Sequence, residues 1–253
     1  MDDLEYEPVT ARYYDGAYAA LETLGPDVDF YRELAREAAG PVLEVGCGTG
    51  RVLERIAADG VACSGLDLSA DMLEVLRAKV GPQVPLIRAD MRHFDLGARR
   101  FALIFSAFRA FQHLVAVEDQ LRCLARVRAH LAPGGRFAFD VFNPRFASAS
   151  VDEEPEREDL RFSQDGAEVV RTARVSRDRG SQSLRVVFRY ERRRDGRVLG
   201  SESATATLRW FYRYELEHLM HRAGFRDVEI FGDFDRSPVG ADSPALIVVA
   251  RSA

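Results

Sequence analysis

The apolar positions between residues 41 and 142 alternate between short continuous runs and segments with helical spacing. Continuous apolar runs are typical of strands buried on both faces, whereas apolar residues every three or four positions mark one face of a helix. Strands separated by helices and short connections predict a parallel sheet covered on both faces. The predicted strands cover 41–46, 61–67, 84–90, 101–107 and 132–142, and the predicted helices cover about 50–59, Ala70 to about Lys79 with Ser69 as N-cap, and 117–131.

The pattern changes to a period of two after the fifth predicted strand. Residues 152–159 are almost all charged and are interpreted as a solvated acidic connector. From 167 to 212, polar and apolar residues alternate along three segments separated by glycine-containing turns at 178–180 and 194–196, which predicts antiparallel hairpins. A helix ending at Gly224 and two short strands follow. The predicted organisation is a parallel α/β core interrupted by an antiparallel insert.

Composition and charge restrict the class of protein. The chain has 253 residues, of which 47% are hydrophobic, so it can bury a substantial core. Its net charge of -5 argues against a nucleic-acid partner, and no apolar run reaches the roughly 18 residues of a transmembrane helix. The amino-terminal segment lacks the apolar region of a signal peptide, and three scattered cysteines predict neither disulfides nor a metal site. We therefore expect a cytoplasmic protein with no nucleic-acid, membrane or metal partner.

A glycine-rich turn follows the first predicted strand. Gly46, Gly48 and Gly50 carry no Cβ atoms, so a ligand can approach the backbone closely there. A dinucleotide fingerprint has the spacing G-x-G-x-x-G, whereas this chain has G-x-G-x-G with Arg51 at the position of the third glycine. The spacing disfavours a nicotinamide dinucleotide and leaves a tight turn of purely structural role as the alternative to a ligand site.

Carboxylates near the turn distinguish between nucleotide-like cofactors. Asp67, at the end of the second strand, can accept hydrogen bonds from both ribose hydroxyls of an adenosine. Glu44 lies two residues before Gly46, where its charge would repel a pyrophosphate and attract the cationic amino-acid end of S-adenosylmethionine. Asp90, after the third strand, is placed to contact the adenine amino group beside the apolar Met91. These charges favour S-adenosylmethionine over NAD.

Four motifs resemble those of the class I S-adenosylmethionine-dependent methyltransferases. LEVGCGTG at 43–50 is similar to their glycine-rich first motif, GLDLSADML at 65–73 to their ribose-binding motif, and IRADM at 87–91 to their adenine-contacting motif. LAPGGRFAFDVF at 131–142 resembles the loop and fifth strand that follow. The resemblance implies a three-layer α/β fold with an open, mostly parallel seven-stranded sheet of Rossmann-like type, whose last two strands form an antiparallel pair.

The resemblance also leads us to expect particular domain boundaries and cofactor-binding residues. We expect an N-terminal helical cap over 1–40, a methyltransferase core over 41–150 and 210–253, and the antiparallel insert over 151–209, above the acceptor site. The residues expected to bind S-adenosylmethionine lie in the motifs or near the carboxyl ends of the strands, apart from one near the amino terminus: Tyr14, Glu44, Gly46, Cys47, Gly48, Gly50, Arg51, Asp67, Leu68, Met72, Asp90, Met91 and Ser106.

A closer resemblance extends over nearly the whole chain, to the N-methyltransferases of amino-deoxysugar nucleotides. In that group a tyrosine before an aspartate near the amino terminus closes over the methyl donor, and Tyr14 matches it. A histidine–leucine pair after the fourth strand lines the acceptor site, and His113 with Leu114 matches that pair. The resemblance implies catalytic roles for Tyr14 and for His113, which would deprotonate or orient the acceptor; a structural histidine is the alternative. As a base, His113 would titrate near the reference pKa of about 6.5.

The chain departs from that group beside the expected acceptor site. Asp140 and the residues after it stand where the group has aromatic residues after its fifth strand. Phe111 and Gln112 replace the small residues that precede the histidine in the group. These departures are compatible with methyl transfer, but they leave the identity of the acceptor open.

Arginines alternate with apolar residues along the second strand of the insert. Arg185, Arg189 and Arg193 predict a polar outer face over an apolar inner face, with a grip on an anionic acceptor as the alternative.

Together, the motifs predict a methyltransferase that acts on a small molecule, at an amine nitrogen in preference to a hydroxyl oxygen. From other classes, the alternatives are a nicotinamide-dependent oxidoreductase and a non-catalytic binder of S-adenosylmethionine. A small-molecule acceptor is the expected partner, and a homodimer is an open alternative to a monomer.

Overall fold

The computed structural model describes residues 8–21, 25–145 and 150–252, so parts of the predicted cap and core at 1–7, 22–24, 146–149 and 253 lie outside the described residues. The helices are α1 (Pro8–Ala19), α2 (Pro26–Glu37), α3 (Leu53–Ala58), α4 (Ala70–Val80), α5 (Val117–His130) and α6 (Arg213–Arg222), with a 3-10 helix at Ala110–His113. The strands are β1 (Val42–Val45), β2 (Cys63–Asp67), β3 (Leu86–Arg88), β4 (Phe101–Ser106), β5 (Leu131–Phe142), β6 (Glu153–Gln164), β7 (Ala167–Asp178), β8 (Ser183–Arg194), β9 (Arg197–Arg209), β10 (Phe225–Phe231) and β11 (Ala245–Ser252).

Helix ends follow the local chemistry that the sequence indicates. The Ser69 hydroxyl accepts a hydrogen bond from the Met72 amide at 3.3 Å, so the predicted N-cap of α4 is confirmed. Gly224 follows α6 with a φ of 84°, a left-handed conformation that glycine adopts readily. Within the described residues, no helix combines the length and hydrophobicity needed to cross a membrane.

Seven strands form one mostly parallel sheet in the order β10-β11-β5-β4-β1-β2-β3. β1 pairs in parallel with β2 on one side and with β4 on the other, so Val42 lies opposite both Cys63 and Leu103. β11 runs antiparallel to β5 and to β10. The predicted fold class is therefore confirmed. Chain order reverses beside β1, and ligands of open α/β sheets bind at the carboxyl ends of the strands at such a point.

Alternate residues of the central strands supply two apolar layers. Leu43 and Ile104 belong to the cluster that packs against α5 and α6, whereas Val42 and Leu103 belong to the cluster that packs against α2, α3 and α4. Because successive side chains of a strand point to opposite faces, the sheet is covered on both sides. This burial fixes the positions of the strand ends at which the candidate site lies.

A separate sheet of four antiparallel strands, β6-β7-β8-β9, forms the insert and is called the second sheet below. The expectation of a solvated connector at 152–159 is wrong, because β6 begins at Glu153 and pairs with β7. Its acidic side chains contact arginines of β7, with Glu153 3.0 Å from Arg174 and Glu154 paired with Arg177. The charge run is therefore one half of a cross-strand ion-pair pattern.

Helix α1 joins the second sheet to the parallel sheet. Tyr13 is buried and stacks on Tyr190 of β8 with ring centroids 4.6 Å apart. On the other side, Asp15 accepts a hydrogen bond of 2.6 Å from the Thr49 hydroxyl in the glycine-rich turn and pairs with Lys79 of α4 at 2.6 Å. These contacts of Tyr13 and Asp15 place the residue between them, Tyr14, beside both sheets.

Candidate cofactor and acceptor site

The glycine-rich turn is fixed by hydrogen bonds to β2. The amides of Gly46 and Cys47 donate to the Leu66 carbonyl at 2.7 and 3.0 Å. Gly46 and Gly48 have φ values of 74° and 51°, a left-handed region that costs glycine little. A Cβ at Gly46 would lie 2.7 Å from that of Ala110, whereas one at Gly48 would meet no atom within 4 Å. Gly48 therefore presents bare backbone to open space.

Asp67 is the buried carboxylate at the carboxyl end of β2. It accepts hydrogen bonds from the amides of Gly48 at 2.8 Å and Ser69 at 2.9 Å. Burial raises the pKa of Asp67 above its ordinary value, and these two amides oppose the rise. The carboxylate thus holds the turn and the start of α4 around one cleft.

A cavity of about 70 Å³, called the cofactor cavity below, lies between this turn, the end of β2 and the segment after β4. Nine of the residues expected from sequence to serve the cofactor or the reaction lie on its wall: Tyr14, Gly46, Gly48, Asp67, Leu68, Met72, Asp90, Met91 and His113.

The other expected cofactor residues lie behind the cavity wall. Glu44 and Ser106 are buried, and among the described residues Glu44 Oε2 and Ser106 Oγ have no hydrogen-bond partner. Burial raises the pKa of Glu44 well above its ordinary value. Cys47 belongs to the apolar cluster under the turn, and Gly50 packs so closely on Leu76 that a side chain there would overlap it.

Arg51 has a different environment from the one expected. Its guanidinium pairs with the buried Asp27 of α2 and lies 5.0 Å from the ring centroid of Phe108. The structure therefore places Arg51 beneath the segment after β4 and off the cofactor cavity.

Asp90 lies on the wall of the cofactor cavity and is paired with an arginine side chain. Arg92 Nε lies 2.9 Å from Asp90 Oδ2, and the same guanidinium contacts Asp119 at 3.2 Å. Burial raises the pKa of Asp90, yet the hydrogen bonds from Arg92 outweigh this and leave the pKa below its ordinary value. Asp90 is therefore an ionised acceptor at neutral pH.

A larger cavity of about 590 Å³, called the acceptor cavity below, separates the parallel sheet and α1 from the second sheet. Its wall on the second sheet includes Val186, Phe188 and Tyr190 of β8. The neighbouring Arg185 and Arg189 are exposed and hydrogen-bond to the β9 side chains of Thr205 and Ser201. The prediction of an apolar inner face beneath a polar outer face is confirmed.

The wall of the acceptor cavity nevertheless carries positively charged side chains, which the alternation of polar and apolar residues along β8 does not predict. Arg171 is buried and binds Asp159 through two hydrogen bonds of 3.0 and 2.8 Å, so its charge is balanced. Arg109 lies 5.5 Å from the Phe142 ring centroid, and no carboxylate of the described residues lies within 4.0 Å of its guanidinium. Four arginines reach this wall: Arg109, Arg145, Arg171 and Arg177.

Tyr14, Phe108 and His113 line both cavities and so mark their junction. Burial lowers the pKa of His113 to about 4, below the ordinary value at which a histidine base would titrate. The imidazole is neutral at pH 7 and can accept a hydrogen bond. Phe108 is not among the site residues expected from the sequence. Its signal is an aromatic residue at the carboxyl edge of the sheet, two residues after the end of β4.

Comparison with known proteins shows what this chain is similar to. Residues 42–135 match the family model described as a methyltransferase domain. A dTDP-3-amino-3,6-dideoxy-alpha-D-glucopyranose N,N-dimethyltransferase from Streptomyces fradiae is 37% identical over 134 residues, 48% of this chain and 52% of that protein. A solved structure, S-adenosylmethionine-bound, of an amino pentose methyltransferase from Micromonospora echinaspora has 25% identity and a TM-score of 0.71, with 100% of both chains covered. The chain therefore resembles S-adenosylmethionine-dependent methyltransferases, and residues 42–135 carry the match to the methyltransferase domain.

A further relative matches this chain over most of its length. It is a dTDP-3-amino-3,4,6-trideoxy-alpha-D-glucopyranose N,N-dimethyltransferase from Streptomyces venezuelae, 29% identical over 229 residues, which are 89% of this chain and 92% of that protein. The match to the Streptomyces fradiae protein, in contrast, spans about half of that relative's length.

The residues around the cofactor cavity fit S-adenosylmethionine. The buried Glu44 carboxylate has an oxygen without a partner among the described residues, which suits a cationic amino group, and Asp67 suits ribose hydroxyls. Gly48 leaves space for close approach of a ligand. The cofactor cavity, at about 70 Å³, is smaller than the roughly 300–1,000 Å³ of small-molecule sites. Binding of the whole cofactor therefore requires this cavity to widen.

Proposed function

We propose that this protein transfers a methyl group to an amine nitrogen of a small acceptor that also carries an anionic group. The junction of the two cavities at Tyr14, Phe108 and His113 carries this proposal, because it brings an acceptor within reach of the cofactor cleft. Amino-deoxysugar nucleotides are the acceptor class that the names of the relatives indicate.

For methyl transfer, the protein mainly has to hold the two reactants in the right geometry and bind the acceptor amine in its neutral form. S-adenosylmethionine supplies a methyl group that is already electrophilic because it is bonded to a sulfonium. Holding the two reactants in one geometry can therefore supply much of the rate. With its pKa lowered to about 4, His113 is a weak base. Its role is to accept a hydrogen bond from the amine and aim the nitrogen lone pair.

The rings at the junction complete the site. Tyr14 and Phe108 border both cavities and are placed to exclude water from the reacting atoms. Exclusion of water prevents hydrolysis of the donor and keeps the amine desolvated.

The charge on the wall supports an anionic acceptor. Arg171 and Arg177 are balanced by carboxylates of β6, whereas Arg109 has none within 4.0 Å among the described residues. A guanidinium on the rim of an apolar cavity is well suited to a phosphate.

The proposal is tested by release of S-adenosylhomocysteine across matched acceptors. Each acceptor is offered as an amine and as its hydroxyl analogue, with and without a phosphate-linked nucleoside. We expect turnover only with the amine, and a lower KM when the phosphate is present. Turnover of the hydroxyl analogue alone would make the protein an O-methyltransferase, and oxidation or reduction dependent on NAD would refute the proposal.

Location and assembly follow from separate considerations. A cytoplasmic location is supported by three free, buried cysteines, which suit a reducing compartment. A homodimer stays a prediction, which sedimentation of the purified protein tests.

A further inference from the structure

The segment between β4 and the 3-10 helix holds two consecutive residues in an unfavourable backbone conformation. Phe108 has a φ of 53° and Arg109 a φ of 66°, and neither is glycine. Left-handed conformations are costly for residues with a Cβ, so a pair of them persists only when the surroundings hold it.

Asp140 supplies the hydrogen bonds that hold this pair. It is buried near the end of β5 and accepts from the Phe108 amide at 2.8 Å and from the Arg109 amide at 3.2 Å. The Tyr31 hydroxyl of α2 donates to the same carboxylate at 2.8 Å. One carboxylate thus accepts hydrogen bonds from two successive backbone amides and from the hydroxyl of the buried Tyr31.

This backbone pair positions side chains at the junction of the two cavities. Phe108 lines both cavities, and the 3-10 helix that follows carries His113 to the same junction. The Phe108 ring lies 4.7 Å from Tyr18 and 5.0 Å from the Arg51 guanidinium, so its place depends on the backbone that carries it. Asp140 is on the wall of neither cavity.

We propose that Asp140 is a positioning residue for methyl transfer: it holds Phe108 and Arg109 in their left-handed conformation and thereby sets the junction of the two cavities. The inference rests on the proposed function for its kinetic consequence, and on the cofactor site alone for its effect on binding.

The first test replaces the carboxylate. Asp140→Asn keeps the volume but replaces one carboxylate oxygen with an NH2 group, so one of the two backbone amides faces a donor in place of its acceptor. If the competent loop falls to a tenth of the population, the Kd for S-adenosylmethionine and the acceptor KM both rise about tenfold. Tyr31→Phe removes the phenol alone and is the control; it should lower the melting temperature and leave both constants within about twofold. If Asp140→Asn lowers the melting temperature but leaves both constants unchanged, the residue is merely structural.

The second test leaves the buried carboxylate intact. Arg109 is exposed and does not line the cofactor cavity. Arg109→Gly and Arg109→Val both remove the guanidinium, so the two variants differ in their backbone preference. Glycine adopts a positive φ readily, whereas β-branched valine does not. We expect Arg109→Gly to bind S-adenosylmethionine like the parent, and Arg109→Val to bind it about tenfold more weakly. Equal affinities would overturn the proposal.

The substitutions of the two tests can also be combined in one double variant. Adding Asp140→Asn to Arg109→Gly should weaken S-adenosylmethionine binding less than adding it to the parent, because glycine needs less support. An undiminished effect would contradict the proposed mechanism. If no amine is methylated by the parent protein, the proposed function fails, while these calorimetric titrations still decide the role of Asp140.

Discussion

At the scale of single residues, Asp67 carries the clearest prediction about the cofactor. Its carboxylate would accept ribose hydroxyls while binding the amides of Gly48 and Ser69. Loss of a charged hydrogen bond costs about 1.5–3 kcal/mol, so Asp67→Ala should raise the Kd for S-adenosylmethionine roughly tenfold to hundredfold. Calorimetric titration measures this, with Asp71→Ala, an exposed carboxylate on α4, as the control. Unchanged affinity in Asp67→Ala would remove the assignment.

His113 carries a prediction about pH dependence. Because burial lowers its pKa to about 4, the imidazole stays neutral from about pH 6 to 9, and turnover should show no ionisation near the reference value of about 6.5. The rate should instead rise as the acceptor ammonium loses its proton. His113→Gln, which retains a hydrogen-bond acceptor, should keep the same pH profile at a lower rate. Its control is His221→Gln, exposed on α6. If turnover of the parent protein instead rises with pH through a group near pH 6.5, and this rise is lost in His113→Gln, the histidine is a general base.

At the scale of elements, α1 should depend on its contact with the second sheet. Tyr13 is buried against Tyr190 and donates to Glu202 at 2.8 Å. Tyr13→Ala removes the ring and should cost about 3–5 kcal/mol of stability, while Tyr14 loses its place and the acceptor KM rises. Tyr13→Phe keeps the ring and should cost only about 1 kcal/mol. Melting curves and KM values check the pair, and equal effects of both substitutions would contradict the packing argument.

The elements also show what the sequence can and cannot reveal. The strands of the parallel sheet and the turn at Gly46 were predictable because continuous apolar runs and glycine spacing are local signals. The segment 152–159 was misread because its partners, such as Arg174 and Arg177, lie on a strand that is adjacent only after folding. Phe108 and Asp140 are likewise brought together by the pairing of β4 with β5, which no local pattern states.

At the scale of the whole molecule, the three cysteines should report on the integrity of the fold. Cys47, Cys63 and Cys123 are free and buried, and burial raises the pKa of the Cys63 thiol to about 11. Since the thiolate is the reactive form, the native protein should be inert to an aromatic disulfide reagent at neutral pH. Denaturant should expose all three thiols. Rapid reaction of a thiol in the native protein would contradict the burial described.

In the whole molecule the cofactor cavity lies at the edge of the parallel sheet, and the acceptor cavity lies between that sheet with α1 and the second sheet. The central claim is that a methyl group passes between these cavities to nitrogen. Isotope-labelled S-adenosylmethionine, incubated with the parent protein and the amine acceptor, tests this directly by NMR of the product. We expect the label in an N-methyl group, with one S-adenosylhomocysteine formed for each methyl transferred. Label on oxygen, or formation of S-adenosylhomocysteine without labelled product, would contradict it.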